Sequence, residues 1–327
     1  MRIGLIDIDY NGSFPSIPLM KISAWHKQQG DNVDWYMPFT DRYNVVYIAK
    51  VFSWTEDYKD IINADLVIKG GTGYEIHKIG EKESYVPVNV DTAYMERYHG
   101  VYNVEYMHSL PDEIEHIYPD YSIYPSLTNE TAYGFLTRGC PRGCSFCHVA
   151  AKEGKRSIKV AELNEFWNGQ KNIVLCDPNI LSCKDWEILL QQLIDSKAWV
   201  DFNQGLDARL MTPRKAAMLA QIKMKKIHFA WDRWQDKESV LKGLEIYNRF
   251  ATKHPHGHNA IVYTLVNYDT TFEQDLDRIY TLRDMGYWAY VMIYDKKHCD
   301  KKYNYLQRWV NNRFIFSKCN RFEDYKI

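Results

Sequence analysis

The stretch of sequence that decides the fold covers residues 135–147 and reads Phe135-Leu136-Thr137-Arg138-Gly139-Cys140-Pro141-Arg142-Gly143-Cys144-Ser145-Phe146-Cys147. It places three cysteines at C-x3-C-x2-C spacing in a loop that contains two glycines and a proline. Three thiolates can hold three irons of a 4Fe–4S cluster and leave the fourth iron without a protein ligand. That iron can then bind the amino and carboxylate groups of a small molecule. The spacing therefore predicts an iron–sulfur site at Cys140, Cys144 and Cys147.

A structural zinc site is the competing interpretation, with His148 as the fourth ligand. Neighbouring residues such as Cys147 and His148 rarely point at one metal, and structural zinc sites usually draw on two separated ligand pairs. The sequence contains no second C-x-x-C pair. The remaining cysteines stand alone and are predicted to be buried small hydrophobic residues; they are Cys176, Cys183, Cys299 and Cys319.

The sequence around the motif alternates between strand and helix patterns. Strands are predicted over Tyr133–Thr137, Asn172–Cys176, Trp199–Asn203, Lys226–Ala230, Ala260–Val266 and Trp288–Tyr294. Helices are predicted over Val160–Asn168, Lys184–Ser196, Pro213–Gln221, Lys237–Phe250 and Phe272–Met285. Six such units make a partial (β/α)6 barrel, in which the chemistry sits at the carboxyl ends of the strands.

The cysteine motif in this setting resembles that of the radical S-adenosylmethionine superfamily, and the resemblance covers most of residues 131–295. It implies that the cluster passes an electron to bound S-adenosylmethionine and breaks its C5′–S bond. The resulting 5′-deoxyadenosyl radical would abstract hydrogen from a small-molecule or peptide substrate. The resemblance also implies a reducing partner such as flavodoxin or ferredoxin, and it places Phe146 near the adenine.

The second predicted strand ends in Asp177-Pro178-Asn179, where many superfamily members carry a Gly-Gly-Glu-like segment that binds the methionine amine. The sequence departs from that segment. Asp177 and Asn179 are candidates for the amine because their side chains can accept hydrogen bonds from an ammonium. The alternative is that they form a turn or cap the next helix.

The third strand ends in a group of polar residues around a glycine, from which Gln204, Asp207 and Arg209 are candidates. Arg209 can pair with the methionine carboxylate, and Asp207 or Gln204 can bond the ribose hydroxyls. The alternative is an Asp207–Arg209 ion pair that braces the loop. Asp232, which follows the fourth strand, is a further candidate for binding the cofactor.

The fifth strand continues through Leu265-Val266-Asn267 to Thr270 and Thr271. It looks like the superfamily segment that packs an aliphatic residue on adenine, which makes Val266 the candidate. Asn267 stands where glycine is more usual. Thr270 or Thr271 is also a good N-cap for the following helix.

The first 130 residues differ from the rest in charge and pattern. Their net charge is −10, against +9 for residues 131–327. Short strands over Arg2–Ile8, Asn32–Tyr36, Asn44–Val51 and Asp65–Lys69, with a helix over Pro18–Gln29, predict a Rossmann-like open sheet. Residues 84–130 lack periodicity and are interpreted as a linker. Together these patterns predict an α/β protein: a Rossmann-like domain over 1–130, a partial barrel over 131–295 and an extension over 296–327.

This domain order resembles the cobalamin-binding radical enzymes, which often carry D-x-H-x-x-G with a cobalt-binding histidine. Residues 75–80 supply a histidine and a glycine, but Glu75 replaces the aspartate and the match follows a late strand. The loop after the first strand offers no histidine either. Cobalamin is therefore possible but not favoured. The histidines of residues 254–258 are expected to lie in a solvated loop.

The extension over residues 296–327 holds nine Lys and Arg against three Asp and Glu, interleaved with aromatic residues. This composition can track RNA, but an amphipathic helix explains Leu306, Trp309 and Val310 and is preferred. Two alternatives to the radical enzyme of unidentified substrate stay open. One is a tRNA-modifying enzyme resembling the methylthiotransferases, and the other is a non-catalytic binding module in which a metal only fastens the loop.

Composition limits the classes of protein to which the chain can belong. The chain has 327 residues, 46% of them hydrophobic, which is ample for one or more cores. No apolar run reaches the ~18 residues that a membrane span needs. Asp7 and Asp9 interrupt the apolar start, so a signal peptide is not expected. The sequence therefore predicts a cytoplasmic protein with reduced thiols and no membrane partner.

Overall fold

A computed structural model describes residues 1–79, 82–86, 103–251 and 257–325. The chain forms two compact units. The first contains Met1–Tyr133, Arg142–Glu153 and Asn164–Gln170, and the second contains Gly134–Pro141, Gly154–Leu163 and Lys171–Ile327.

The strands of the described residues are β1 Arg2–Asp7, β2 Asn32–Trp35, β3 Tyr43–Ala49, β4 Ala64–Gly70, β5 Ile76–Ile79, β6 Lys82–Tyr85, β7 Asn103–Met107, β8 Thr131–Gly134, β9 Thr137–Arg138, β10 Ile158–Lys159, β11 Asn172–Leu175, β12 Trp199–Phe202, β13 Ile227–Ala230, β14 Gly257–Val266 and β15 Tyr287–Ile293. The α-helices are α1 Ile17–Gln28, α2 Thr72–Glu75, α3 Asp112–Glu115, α4 Pro125–Thr128, α5 Val149–Lys152, α6 Trp186–Ser196, α7 Pro213–Leu219, α8 Lys237–Phe250, α9 Phe272–Asp284, α10 Lys301–Asn311 and α11 Arg313–Lys318.

The first unit is built on a five-stranded parallel sheet in the order β2-β1-β3-β4-β7. The predicted open parallel sheet is present, and its order is the flavodoxin-like one, in which the chain reverses direction across the sheet between β1 and β3. One face packs Ile3 and Leu5 against Leu19 and Ile22 of α1. Ser16 caps α1, because its side chain accepts from Leu19 N.

The interpretation of residues 84–130 as a linker is wrong for Asn103–Met107, which form β7 at the edge of the sheet. Its residues are exposed or only partly buried, so the strand lacks the apolar run that marks β1 and β3. The middle of the expected linker, residues 87–102, lies outside the described residues, as do residues 254–256 of the histidine-rich stretch.

Two further three-stranded sheets have the orders β12-β11-β8 and β13-β14-β15, and all of their strands except β8 lie wholly in the second unit. The pairs β11–β12, β13–β14 and β14–β15 are parallel. A single parallel bridge between Leu206 and Phe229 connects the end of β12 with β13. Six strands therefore follow one another as the sequence predicts, and α8 has the predicted bounds.

The helix predicted over Val160–Asn168 is wrong, because only a 3-10 turn at Leu163–Glu165 forms there. The backbone N–H groups that would start the helix are bound elsewhere. Val160 N donates to Leu136 O at 2.9 Å, and Leu163 N donates to the side chain of Gln192 at 2.9 Å. These tertiary bonds override the local helical pattern.

The end of the chain forms the amphipathic helix that the sequence predicts. Leu306, Trp309 and Val310 of α10 are fully buried. The helix also bonds to β15, since Gln307 Nε2 and Asn311 Nδ2 both donate to Val291 O at 3.0 Å. Within the described residues, every helix is too short or too polar to cross a lipid bilayer.

Candidate functional site

Asp177 lies at the carboxyl end of β11 and is bound to the backbone that leads into the cysteine loop. Its carboxylate accepts from Leu136 N at 3.1 Å, from Thr137 N at 2.6 Å and from Thr137 Oγ1 at 2.7 Å. Burial raises its pKa to about 6, against these hydrogen bonds, which lower it. Asp177 therefore holds the entry to the loop, a role that neither the amine-binding interpretation nor the alternative of a turn or helix cap includes.

Asn179 connects the first cysteine with the end of β12. Its Nδ2 lies 3.6 Å from Cys140 Sγ and 3.2 Å from Asp207 Oδ2. The residue is 4% exposed, and its Oδ1 is buried without a hydrogen-bond partner among the described residues. A buried acceptor without a partner costs free energy, so this atom is suited to a donor that the protein itself does not supply.

Asp207 and Arg209 form the ion pair that the sequence offers as an alternative to ligand binding. Arg209 Nε donates to Asp207 Oδ1 at 2.7 Å, and Arg209 Nη1 donates to Asp236 Oδ2 at 2.5 Å. Burial pulls the pKa of Arg209 down, but the two carboxylates outweigh it and hold that pKa above its ordinary value. The guanidinium is thus already neutralised by two partners, which weakens its attraction for a further anion.

A glycine in α8 makes room for the loop that carries this ion pair. A Cβ atom placed on Gly243 would lie 1.8 Å from Ala208 O and 2.7 Å from Ala208 C. No side chain fits that space without moving the backbone. The close approach of α8 therefore fixes the turn between Asp207 and Arg209.

Asp232 lies after β13 and carries a buried Oδ1 without a hydrogen-bond partner among the described residues. Burial raises its pKa to about 6, and the positive charge of Arg278 acts in the opposite direction. Arg278 is fully buried and donates to Trp231 O and Leu265 O, both at 2.6 Å, and to Asp275. It thereby ties the ends of β13 and β14 to α9.

The other predicted cofactor residues differ in their surroundings. Val266 is fully buried at the end of β14, Gln204 is exposed and Phe146 is partly exposed.

The segment that follows β14 leads into the cap of α9. Asn267 has φ 62°, the left-handed conformation that glycine adopts most readily. Thr271 caps α9 in a capping box with Gln274, as one of the two predicted caps.

No disulfide joins any of the seven cysteines, all of which lie in the described residues. Within the part of the chain that the structure describes, no three or more His, Cys, Asp or Glu side chains lie close enough together to hold a metal ion. Cys140 belongs to the second unit, and Cys144 and Cys147 belong to the first. The loop turns at Gly139 and Gly143, with φ of 83° and 56°, and Cys147 N donates to Cys144 O at 3.0 Å.

The prediction for the remaining cysteines is confirmed for two of them. Cys176 and Cys183 are buried, and burial raises the pKa of the Cys176 thiol to about 12. Cys299 and Cys319 are partly exposed, so the prediction is wrong for them. Both lie at the polar ends of the C-terminal helices, where no apolar face covers them.

The short helix that follows the third cysteine is anchored within the first unit. Lys152 of α5 forms an ion pair with Glu75 at 2.8 Å and donates to Thr72 Oγ1 at 2.6 Å. Glu75 is 3% exposed and also contacts His108 Nδ1 at 2.8 Å. The segment that carries Cys144 and Cys147 is therefore fastened to the carboxyl end of β4.

Sequence reasoning missed a row of polar and aromatic residues in the middle of the strands of the second unit. Asp201 of β12, His228 of β13, Tyr263 of β14 and Tyr290 of β15 contact one another in that order. The available signal is the period of two residues within each strand, because it puts these side chains on one face.

Among solved structures, the chain is similar to the apo, selenomethionine-labelled form of the cobalamin-dependent S-adenosylmethionine radical enzyme OxsB. The TM-score is 0.51 and the sequence identity is 12%. The similarity covers 97% of this chain and 56% of the OxsB chain, so this chain spans little more than half the length of that neighbour. No protein-family profile and no curated protein matches the chain. At this identity, the similarity shows a shared fold.

Proposed function

We propose that the chain is a radical S-adenosylmethionine enzyme in which Cys140, Cys144 and Cys147 hold a 4Fe–4S cluster. The observation that carries the proposal is the contact of Asn179 with both Cys140 Sγ and Asp207 Oδ2. It joins the first cysteine of a C-x3-C-x2-C motif to polar groups at the ends of two parallel strands. The fold similarity to OxsB supports the same class.

The residues fit such a cluster in the chemistry of their donors. Cysteine thiolates are the ligands that iron–sulfur clusters use, the three cysteines of the motif form no disulfide, and the loop bends at two glycines with positive φ. The amide of Asn179 can donate to a cysteine sulfur, which is a known means of tuning such a group. When bound, the cluster would supply the electron that cleaves S-adenosylmethionine to methionine and a 5′-deoxyadenosyl radical.

The residues of the chain would then bind and orient the cosubstrate. The unpartnered Oδ1 of Asn179 would accept from an N–H of the methionine amino group, since that group donates and the atom lacks a donor. The exposed Gln204 is available to the ribose hydroxyls. Arg209 is assigned to bracing the loop rather than to the methionine carboxylate, because Asp207 and Asp236 already pair with it.

Cobalamin is not part of the proposal. Glu75, the first residue of the partial match to the cobalt-binding motif, is buried and occupied by His108 and Lys152. The cobalamin dependence of OxsB is a property of that protein. Addition of cobalamin to the assay below tests the point, and retention of the corrinoid through gel filtration would reverse our assignment.

The test is anaerobic reconstitution with iron and sulfide, followed by incubation with reductant and S-adenosylmethionine. We expect about four irons per chain, broad absorbance near ~400 nm and 5′-deoxyadenosine detectable by mass spectrometry. The Cys144→Ala variant should lose all three signals, whereas Cys299→Ala, a partly exposed cysteine outside the motif, should keep them. Bound zinc without iron would instead identify a binding module in which a metal fastens the loop.

Two further expectations belong to the same proposal. The substrate is a small molecule or a peptide rather than RNA, because the aromatic residues near the C-terminus largely pack on one another, as Trp309 does with Phe316 and Phe322. A small reducing protein such as flavodoxin or ferredoxin delivers the electron. Tight binding of tRNA would favour the alternative of a tRNA-modifying enzyme.

A further inference from the structure

Four neighbouring strands of the second unit present a continuous row of polar and aromatic side chains. His228 Nδ1 lies 3.1 Å from Asp201 Oδ1. The ring of His228 stacks on Tyr263 with centroids 5.4 Å apart and planes at 3°, and Tyr263 meets Tyr290 edge to face at 5.9 Å. The row therefore crosses from β12 to β15 on one face of the strands.

This face is opposite the one on which α8 packs. Phe229, the neighbour of His228 in β13, points the other way and contacts Tyr247 of α8 at 5.1 Å. Val262 and Val291, the alternating neighbours of the two tyrosines, are fully buried. Tyr290 in contrast is 44% exposed. The row is thus open to solvent at the side of Tyr290, while the opposite face is core.

Asp201 is the one charged side chain of the row that is open to solvent. Its side chain is 37% exposed, although Oδ1 is buried, so the exposure falls on the rest of the carboxylate. His228 Nδ1 is close to Asp201 Oδ1 but is not aligned to form a hydrogen bond with it. Neither of these two atoms has another partner among the described residues. The buried Oδ1 of Asp201 therefore lacks a donor, while the exposed part of the carboxylate is open to a donor from outside the protein.

Tyr263, which lies on the other side of His228, remains neutral. Burial raises the pKa of Tyr263 to about 12, and the negative charge of Asp201 adds to the effect. The Tyr263 hydroxyl donates to Asn203 O at 3.1 Å, so the hydroxyl is already partnered. Tyr263 contributes its ring to the row. A carboxylate beside neutral aromatic rings attracts a cation through both its charge and the negative faces of the rings.

We propose that this row binds an organic ammonium ligand, with Asp201 as the counter-ion of the ammonium and the ring of Tyr290 as the wall for the organic part of the ligand. The ammonium donates to the exposed part of the Asp201 carboxylate, whereas an anion would be repelled. The inference deepens the proposed function by naming an amine as the substrate class. Binding itself needs neither the cluster nor S-adenosylmethionine, so the two proposals can fail separately.

The experiment measures binding of benzylammonium and of its uncharged counterpart benzyl alcohol to the full chain by titration NMR, without iron or cosubstrate. We expect benzylammonium to bind and benzyl alcohol to bind at least about tenfold more weakly. Asp201→Asn should weaken the binding of benzylammonium by about tenfold or more. Asp195→Asn, which removes an exposed carboxylate of α6, should leave binding unchanged.

Tyr290 provides a second test that does not depend on the folding of the Asp201 variant. Tyr290→Ala should weaken benzylammonium several-fold, and Tyr290→Phe, which keeps the ring, should not. Absence of benzylammonium binding, equal binding of both probes, or full binding by Asp201→Asn and Tyr290→Ala would each overturn the inference. Amine binding by a chain that makes no 5′-deoxyadenosine would leave it intact and refute only the radical chemistry.

Discussion

Asn179 Nδ2 lies 3.6 Å from Cys140 Sγ, so the first cysteine of the motif receives a side-chain hydrogen bond from the end of the neighbouring strand. The same amide donates to Asp207 Oδ2 at 3.2 Å. Because Asn179 is almost fully buried, the contact is shielded from competing water. This pair gives the most direct link between the cysteine loop and the strand ends.

We predict that Asn179→Ala lowers the reduction potential of the reconstituted cluster. A hydrogen bond to a charged group contributes ~1.5 kcal/mol, and its loss from the more negative reduced state corresponds to roughly 60 mV. Redox titration followed by electron paramagnetic resonance measures the shift. Asn164→Ala, which truncates an exposed amide, serves as the control. A potential equal to that of the wild type would show that the amide does not act on the sulfur.

We predict that Arg209→Met destabilises the protein by about 3 kcal/mol, because Asp207 and Asp236 then lose their shared counter-ion in a partly buried place. Arg209→Lys keeps the charge but cannot reach both carboxylates in the same way, so its effect should be intermediate. Urea unfolding measures the free energies. Arg214→Met, which breaks an exposed ion pair with Glu187, should cost less than about 1 kcal/mol. Equal effects of the two methionine variants would contradict this prediction.

We predict that Gly243→Ala destabilises the protein by about 1–3 kcal/mol, although alanine is the better helix former by ~1 kcal/mol. The added methyl group would overlap Ala208 O and push α8 away from the turn that holds Asp207 and Arg209. Thermal or urea unfolding measures the change. Glu245→Ala, at an exposed position of the same helix, should stay within about 0.5 kcal/mol. A more stable Gly243→Ala variant would show that the helix can shift freely.

We predict that Asp232→Asn stabilises the protein in a pH-dependent way. Burial raises the pKa of this carboxyl to about 6, above its ordinary 3.8, so the folded state holds the proton more tightly than the unfolded state. The contribution of Asp232 to the free energy of unfolding is therefore fully present below about pH 4, and it is lost as the pH rises through 6. The variant has no carboxyl group to ionise at this position. Its free energy of unfolding should therefore exceed that of the wild type by about 1–2 kcal/mol near pH 8 and by little near pH 4.

Urea unfolding across this pH range tests the Asp232 prediction, with Asp195→Asn as an exposed control. A gain of the same size at both ends of the range would point to packing rather than to ionisation. Asp177, whose pKa burial also raises to about 6, contributes a loss with the same sign. The Asp232→Asn variant should therefore still lose stability as the pH rises, with a smaller slope than the wild type.

The sequence predicts those parts of the molecule whose signal is local. The strands and α8 follow from apolar periodicity, and the cap at Thr271 follows from its spacing to Gln274. Asn267 adopts the left-handed conformation, which asparagine tolerates better than most residues. In each of these cases, the residues that decide the structure lie within a few positions of one another.

Features that depend on residues far apart in the sequence could not be predicted from local patterns. The 160–168 segment has a helical pattern, but Gln192 and Leu136 take its backbone donors. Asp177 was a candidate for ligand binding because it ends a strand, and only its contacts with Leu136 and Thr137 reveal the brace. The row from Asp201 to Tyr290 joins four strands that are far apart in the chain, so only the fold brings it together.

The ion pair between Lys152 and Glu75 has a consequence for attempts to divide this polypeptide. A fragment that begins near residue 131 would retain all three cysteines and lose the carboxylate that fastens the helix immediately behind them. Such a truncation should express a loop that takes up iron poorly, although every sulfur ligand is still encoded in it. Grafting the motif into another scaffold would therefore require transplanting the short helix α2 that follows β4 as well.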